Sequence, residues 1–109
     1  MEELYKNIKK RRLELGMTQS ELARLAGYEN RSSIARIERG DHDLPQSKIE
    51  EIAKALKVTP SYLMGWEDEE VAELTAMQEE TIAKFLMLTH EHQLVVESIV
   101  DTLTSQENG

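Results

Sequence analysis

Residues 16–40, GMTQSELARLAGYENRSSIARIERG, are the stretch on which the fold turns. Thr18 followed three positions later by Glu21 has the spacing of a capping box: the hydroxyl takes the Glu21 amide and the carboxylate reaches back. The short helix that follows carries Leu22, Ala23, Leu25 and Ala26 and closes at Gly27. Small Ala23 lets a second helix approach closely, and Gly27, four residues on, permits a sharp turn. Asn30 is suited to cap that second helix, and Ile34 and Ile37 form its buried edge before Gly40 ends it.

Helical spacing continues on both sides. Leu4, Ile8 and Leu15, with Tyr5 and Leu13 nearby, mark an apolar stripe over residues 2–15, and Gly16 stands where a left-handed residue ends a helix. DHDLP (41–45) reads as a loop, with Pro45 in or just before the first turn of a helix through Leu56 whose stripe is Ile49, Ile52, Ala53 and Leu56. Thr59-Pro60 is an N-cap with proline at the first helical position, opening a short helix through Tyr62 and Leu63 that Gly65 ends. Five short helices thus fill residues 1–66. Gly (5) and Pro (2) are scarce and no segment alternates as a strand does, so the chain is expected to be all-α.

The formal charge of -8 argues at first against a nucleic-acid binder, because polyanions repel acidic proteins. The charge is unevenly spread. Residues 1–66 hold twelve basic and ten acidic side chains, whereas 67–109 hold Lys84 alone against eleven acidic ones. The sequence therefore divides near Trp66 into a nearly neutral domain (1–66) and an acidic segment (67–109). In the latter, EDEE (67–70) suits a first helical turn, where the macrodipole favours carboxylates. Val71, Leu74, Ile82, Phe85 and Leu86 give an apolar face interrupted by Gln78 and Thr81. Thr89 caps a second helix striped by Val95, Val96, Ile99, Val100 and Leu103, and the tail SQENG is expected to fray.

A helical hairpin this short is marginal alone, since domains below roughly 40–60 residues bury too little surface. Its apolar faces need another surface, and a second copy of the chain supplies one. The expected dimer or partner interface is Ile82, Phe85, Leu86, Val96, Ile99, Val100 and Leu103. FLML (85–88) then belongs to an interface core, and a peptide or antagonist protein is a further partner for the hairpin. Tyr62 and Trp66 are read as aromatic anchors packing the hairpin against the bundle.

LGMTQSELARLAGY, then SSIARIERG, then DLPQSKIEEIAKALKVTPSYLMGW resemble the Cro/repressor-type helix-turn-helix family (XRE type) of phage and bacterial regulators. The resemblance covers residues 4–66. It implies a five-helix lambda-repressor-like DNA-binding bundle, here followed by the two-helix hairpin. One departure is visible. Tyr28-Glu29-Asn30 is one residue longer than the most compact form of the turn, so Ser33 stands at the usual apolar position and Ile34 takes its role.

A recognition helix presents its N-terminal residues and one outer face to base edges in the major groove. With Asn30 as cap, Arg31, Ser32, Ala35 and Arg36 share the side opposite Ile34 and Ile37. Arg31 and Arg36 can each donate as a fork to guanine O6 and N7, worth about 1–3 kcal/mol of discrimination per pair. Ser32 can donate or accept, and the Ala35 methyl can meet a thymine methyl. The resemblance adds Gln19 as a phosphate or neighbouring-base contact at the start of the preceding helix; Arg39, Lys6 and Lys10 are weaker phosphate candidates. It also places an arginine at Arg12 paired with a glutamate at Glu38, an ion pair that would tie the first helix to the recognition helix.

Lys9, Lys10 and Arg11 otherwise read as a solvated basic face. His90 and His92 are two residues apart on a helix and point to different sides, so no shared metal is expected; His42 stands alone in a loop. With no cysteine there is no disulfide, thiol nucleophile or thiolate metal site, and no cluster assembles a nucleophile with a base. The expectation is a non-enzymatic, cofactor-free, cytoplasmic protein without a membrane segment: a phage- or prophage-type repressor binding an inverted-repeat operator in double-stranded DNA as a homodimer. Two rival readings are the autoregulating antitoxin of a toxin–antitoxin pair and an interaction module that no longer binds DNA.

Overall fold

Short hydroxyl and amide side chains start most of the helices. The computed structural model of the protein describes residues 2–41 and 43–108. Thr18 Oγ1 accepts from the Glu21 amide at 3.0 Å while Glu21 Oε1 accepts from the Thr18 amide at 3.3 Å, closing the capping box. Asn30 Oδ1 accepts from the Ser32 amide at 3.0 Å, and Thr59 Oγ1 from the Tyr62 amide at 3.1 Å, with Pro60 at the first helical position. Asp68 and Thr89 do the same for the Glu70 and His92 amides at 2.8 and 3.2 Å. Each cap satisfies an amide that has no partner inside its own helix.

The described residues form seven helices and no strand: α1 (Glu2–Glu14), α2 (Gln19–Leu25), α3 (Arg31–Glu38), α4 (Gln46–Ala55), α5 (Pro60–Leu63), α6 (Glu69–Leu86) and α7 (His90–Asn108). Two compact units are present, residues 1–77 and 78–109. In the first, α2 packs closely on α3, and the core is filled by Leu4, Ile8, Leu22, Ile34, Ile37, Ile52, Leu56 and Leu63, all buried. Gly65 ends α5 with φ +83°, a conformation that favours glycine, and a Cβ there would lie 2.7 Å from Glu3 Cγ, so that side chain would have to shift.

The inward face of α1 differs from the expected stripe. Leu13 and Leu15 are exposed (58% and 38%), and the buried positions are Leu4, Tyr5, Asn7, Ile8, Arg11 and Arg12. That is one helical face followed for two turns. Its last two places are held by arginines, so the apolar pattern drifted to leucines lying off the face. Asn7 Nδ2 donates to the carbonyls of Leu63 (3.1 Å) and Tyr62 (3.4 Å) at the end of α5. Arg11 Nε donates to the Leu56 carbonyl at the end of α4 (2.9 Å). Arg12 Nη1 donates to the Met17 carbonyl in the turn after α1 (2.8 Å).

Arg11 is therefore not on a solvated face. Its side chain is 7% exposed, and Nη1 lies 3.1 Å from both Glu69 Oε1 and Glu73 Oε1, one turn apart on α6. Beside them Ala72 is fully buried. Glu14 completes the cluster, 3.7 Å from Arg11 Nη1 and 3.8 Å from Lys10 Nζ. The neighbouring Glu69 carboxylate raises the Glu14 carboxyl above its ordinary value. This cluster and Ala72 attach the first turns of α6 to the bundle, so the first unit reaches Met77 where the sequence divided at Trp66.

Trp66 takes no part in that attachment. It is 76% exposed, while Tyr62 is buried in the core. Within the second unit, α7 has no buried residue, and its helix continues through Asn108 where fraying was expected; Gly109 lies outside the described residues.

Arg12 and Glu38 form a two-toothed ion pair: Nε to Oε2 at 2.6 Å and Nη2 to Oε1 at 3.1 Å, with side chains 9% and 4% exposed. The pair joins α1 to the last turn of α3. Breaking so dry a pair leaves an uncompensated buried charge. Glu38→Gln is expected to cost about 3–5 kcal/mol in urea unfolding; a loss below about 1 kcal/mol would show the pair is dispensable.

The attachment of α6 has its own consequence. A 1–77 fragment should unfold with the stability of the first unit, whereas a 1–66 fragment should be weaker by about 1–3 kcal/mol, having lost the partners of Arg11 and the cover from Ala72. Equal urea midpoints for the two fragments would mean that α6 adds nothing to the bundle.

Candidate nucleic-acid interface

The geometry of α3 follows from its two ends. Gly27 (φ +80°) breaks the chain after α2, and the Tyr28 amide returns to the Ala23 carbonyl at 2.8 Å. Glu29 and Asn30 then lengthen the turn before Asn30 caps α3. In that register Ile34 and Ile37 are fully buried and Ser33 only partly, so the outward side carries Arg31, Ser32 and Arg36, all exposed, with Ala35 half-buried. The Ser32 hydroxyl turns back to Asn30 Oδ1 and braces the cap. Among the described residues neither Arg31 nor Arg36 has an ion-pair partner, in contrast to Arg11, Arg12 and Arg39. Two unpaired guanidinium groups on one exposed helical face can meet carbonyl and ring-nitrogen acceptors in a groove.

The residues expected at the backbone fall into two groups. Lys6, Lys10 and Arg39 come together with Lys9 on the wall of an open trough of about 570 Å³ between α1 and the end of α3, floored by Tyr5 and Leu13. Arg39 also pairs with Asp41 at 3.1 Å, both exposed. Gln19 is elsewhere. It is half-buried at the start of α2, and its Nε2 donates to Glu38 Oε1 at 3.1 Å, which joins it to the Arg12–Glu38 pair.

One element of the site was missed in the sequence. Lys48 Nζ lies 4.6 Å from the centroid of the Tyr28 ring and 3.1 Å from Glu51 Oε2. A cation over an aromatic face is attractive, and this contact fastens the turn before α3 to α4. Burial raises the Tyr28 phenol above its ordinary value. An aromatic twenty positions before a lysine carries no readable signal in the sequence. Arg11 did leave one, since it continues the Leu4–Ile8 stripe.

The hairpin candidates divide too. Ile82, Phe85, Val96 and Val100 line one groove of about 290 Å³ edged by Glu97 and Asp101. Leu86, Ile99 and Leu103 lie outside its lining and are 69%, 54% and 54% exposed. His90 and His92 are exposed, and no group of side chains among the described residues has the make-up of a metal site; His42 lies outside the described residues. Among the described residues no helix is long and apolar enough to cross a membrane.

A helix-turn-helix family pattern matches residues 8–63. The chain is similar to the restriction-modification controller protein C.AhdI from Aeromonas hydrophila, at 30% identity and a TM-score of 0.53, over 56% of this chain and 91% of that one. It is also similar to a single-residue variant of the restriction-modification controller protein C.Esp1396I, at 36% identity and a TM-score of 0.53, over 58% of this chain and 80% of that one. The SinR protein/SinI protein complex shares the fold over 97% of this chain and 99% of that one, at 22% identity and a TM-score of 0.50. No curated protein matches the chain. With its capped two-helix motif, its exposed α3 and a family pattern spanning half its length, the chain belongs to the Cro/repressor-type helix-turn-helix family of DNA-binding transcriptional regulators.

Proposed function

We propose that the protein is a sequence-specific repressor of the phage or prophage type that binds an inverted-repeat operator as a homodimer in the cytoplasm. The observation that carries the reading is the outer face of α3, where Arg31 and Arg36 are exposed and, among the described residues, without ion-pair partners. Arg31, Ser32, Ala35 and Arg36 contact bases; Gln19, Lys6, Lys10 and Arg39 contact phosphates. Likeness to two restriction-modification controller proteins at 30% and 36% identity supports a regulator; in this reading it works by occupying DNA, with no chemistry and no cofactor. Half-sites are then about 10–10.5 base pairs apart, centre to centre, or a multiple of that.

The second copy is placed at the hairpin. In the second unit α7 buries no residue, and Ile99, Val100 and Leu103 are each more than half exposed. Two short helices that leave such a face in water gain from covering it, at roughly 25 cal/mol for each Å² of apolar surface. In this reading the acidic hairpin associates and stays off the duplex.

Both halves of the proposal can be tested. Binding to a duplex enriched from a random pool should weaken steeply with salt, as counterions are released from neutralised phosphates, and Arg36→Ala should relax preference at one base position. A flat salt response, or equal affinity for random duplex, would overturn the reading. In sedimentation, the unmodified chain should be a dimer and Ile99→Glu a monomer with its helix content intact; an Ile99→Glu variant that remains dimeric would move the interface away from the hairpin.

A further inference from the structure

We propose that Glu38 is a positioning residue for DNA binding: neutralised by Arg12, it holds the Gln19 carboxamide so that the second N–H of that amide is presented to a DNA phosphate. The inference rests on the DNA-binding reading above and deepens it, because neither the motif nor the exposed face of α3 gives Glu38 any part in binding.

The argument begins from burial. The Glu38 side chain is 4% exposed, at the end of the recognition helix. A bare carboxylate there would be costly to bury and would repel an approaching phosphate. Arg12 removes both objections by taking Oε2 through Nε and Oε1 through Nη2. A carboxylate oxygen has room for a second donor, and at Oε1 that donor is Gln19 Nε2, at 3.1 Å. The remaining nitrogen of Arg12, Nη1, donates to the Met17 carbonyl two residues before Gln19. One guanidinium thus fixes the entry to α2, and the carboxylate it neutralises fixes the first side chain of α2.

A glutamine amide nitrogen carries two N–H donors and accepts nothing. With one donor committed to Glu38, the other can serve only an acceptor, and phosphate oxygens are acceptors alone. A free glutamine loses rotamer freedom when it binds; Gln19 has lost that freedom on folding, so less is lost when DNA arrives. The arrangement also accounts for a half-buried glutamine at a capped helix start whose amide cap is already supplied by Thr18.

The test uses the full chain and two duplexes, one enriched from a random pool by the unmodified protein and a scrambled version of it. Gln19→Met should weaken binding to both about tenfold, the worth of one hydrogen bond to a charged acceptor, while the thermal midpoint shifts by only a few degrees. Arg12→Met combined with Glu38→Leu removes the charge pair but keeps the volume, an exchange that buried pairs often tolerate. It should weaken binding by a similar factor, and Gln19→Met added to it should cost less than about twofold more.

Undiminished affinity of Gln19→Met for both duplexes would overturn the proposal. So would an equal tenfold loss in both backgrounds, which would mean that Gln19 meets DNA without help from Glu38. Should the paired variant fail to fold, side-chain NMR of the unmodified protein decides: a Gln19 amide with one proton held downfield of its random-coil position both free and on DNA supports the proposal, and random-coil shifts for both protons overturn it. Failure of the unmodified protein to enrich any duplex would bring down the DNA-binding reading itself, and this inference with it.

Discussion

The last carbonyls of a helix have no partner within it, and in a bundle of short helices many such ends are buried. Backbone amides of the following turns meet much of that demand, and side chains of one helix meet a further part. Asn7, Arg11 and Arg12 lie on the inward face of α1 and donate to the carbonyls that end α5, end α4 and begin the turn to α2. The remaining guanidinium donors then call in carboxylates: Glu69 and Glu73 for Arg11, Glu38 for Arg12. The apolar core brings the helices together without direction. These donors fix how they meet, because an unmet carbonyl or an unpaired charge in a dry place costs more than a slightly looser apolar contact.

That constraint links stability to recognition. The carboxylate that neutralises Arg12 sits in the last turn of α3, and the one glutamine expected beside the DNA backbone leans on it. The outer face of α3 is left to Arg31 and Arg36, whose counter-charges are not supplied by the fold among the described residues. Four arginines of this chain therefore play two parts distinguished by burial. Paired and dry at 11 and 12, they hold helix ends; exposed and unpaired at 31 and 36, they are available to a polyanion. The overall charge of -8 describes neither part.

Local features were legible from the residues because their causes are local. Thr18, Asn30, Thr59 and Thr89 cap the helices they precede, and Ile34 with Ile37 gives α3 its buried edge. The longer turn and the shift of the apolar position to Ile34 were readable by counting from Gly27. The face of α1 was misread where charge replaced apolarity. Leu13 and Leu15 continued the leucine pattern into solvent, and Arg11 looked like one member of a basic run. Trp66 misled in the opposite sense, since a large aromatic at a composition boundary is most often buried and this one is exposed.

Spacing and composition alone were enough for the elements: which segments are helical, where most of them begin and end, and which side of α3 faces outward. Spacing, capping residues and glycines act over four or five positions, within reach of inspection. Folding alone settled the partners of the charges. It joined Arg11 to carboxylates 58 and 62 positions away, set Gln19 against Glu38, gathered Lys6, Lys10 and Arg39 along one trough, and carried the first unit on to Met77. A charged side chain has the same identity in water as in a dry pair, and what separates the two is the distance to an opposite charge brought close by folding.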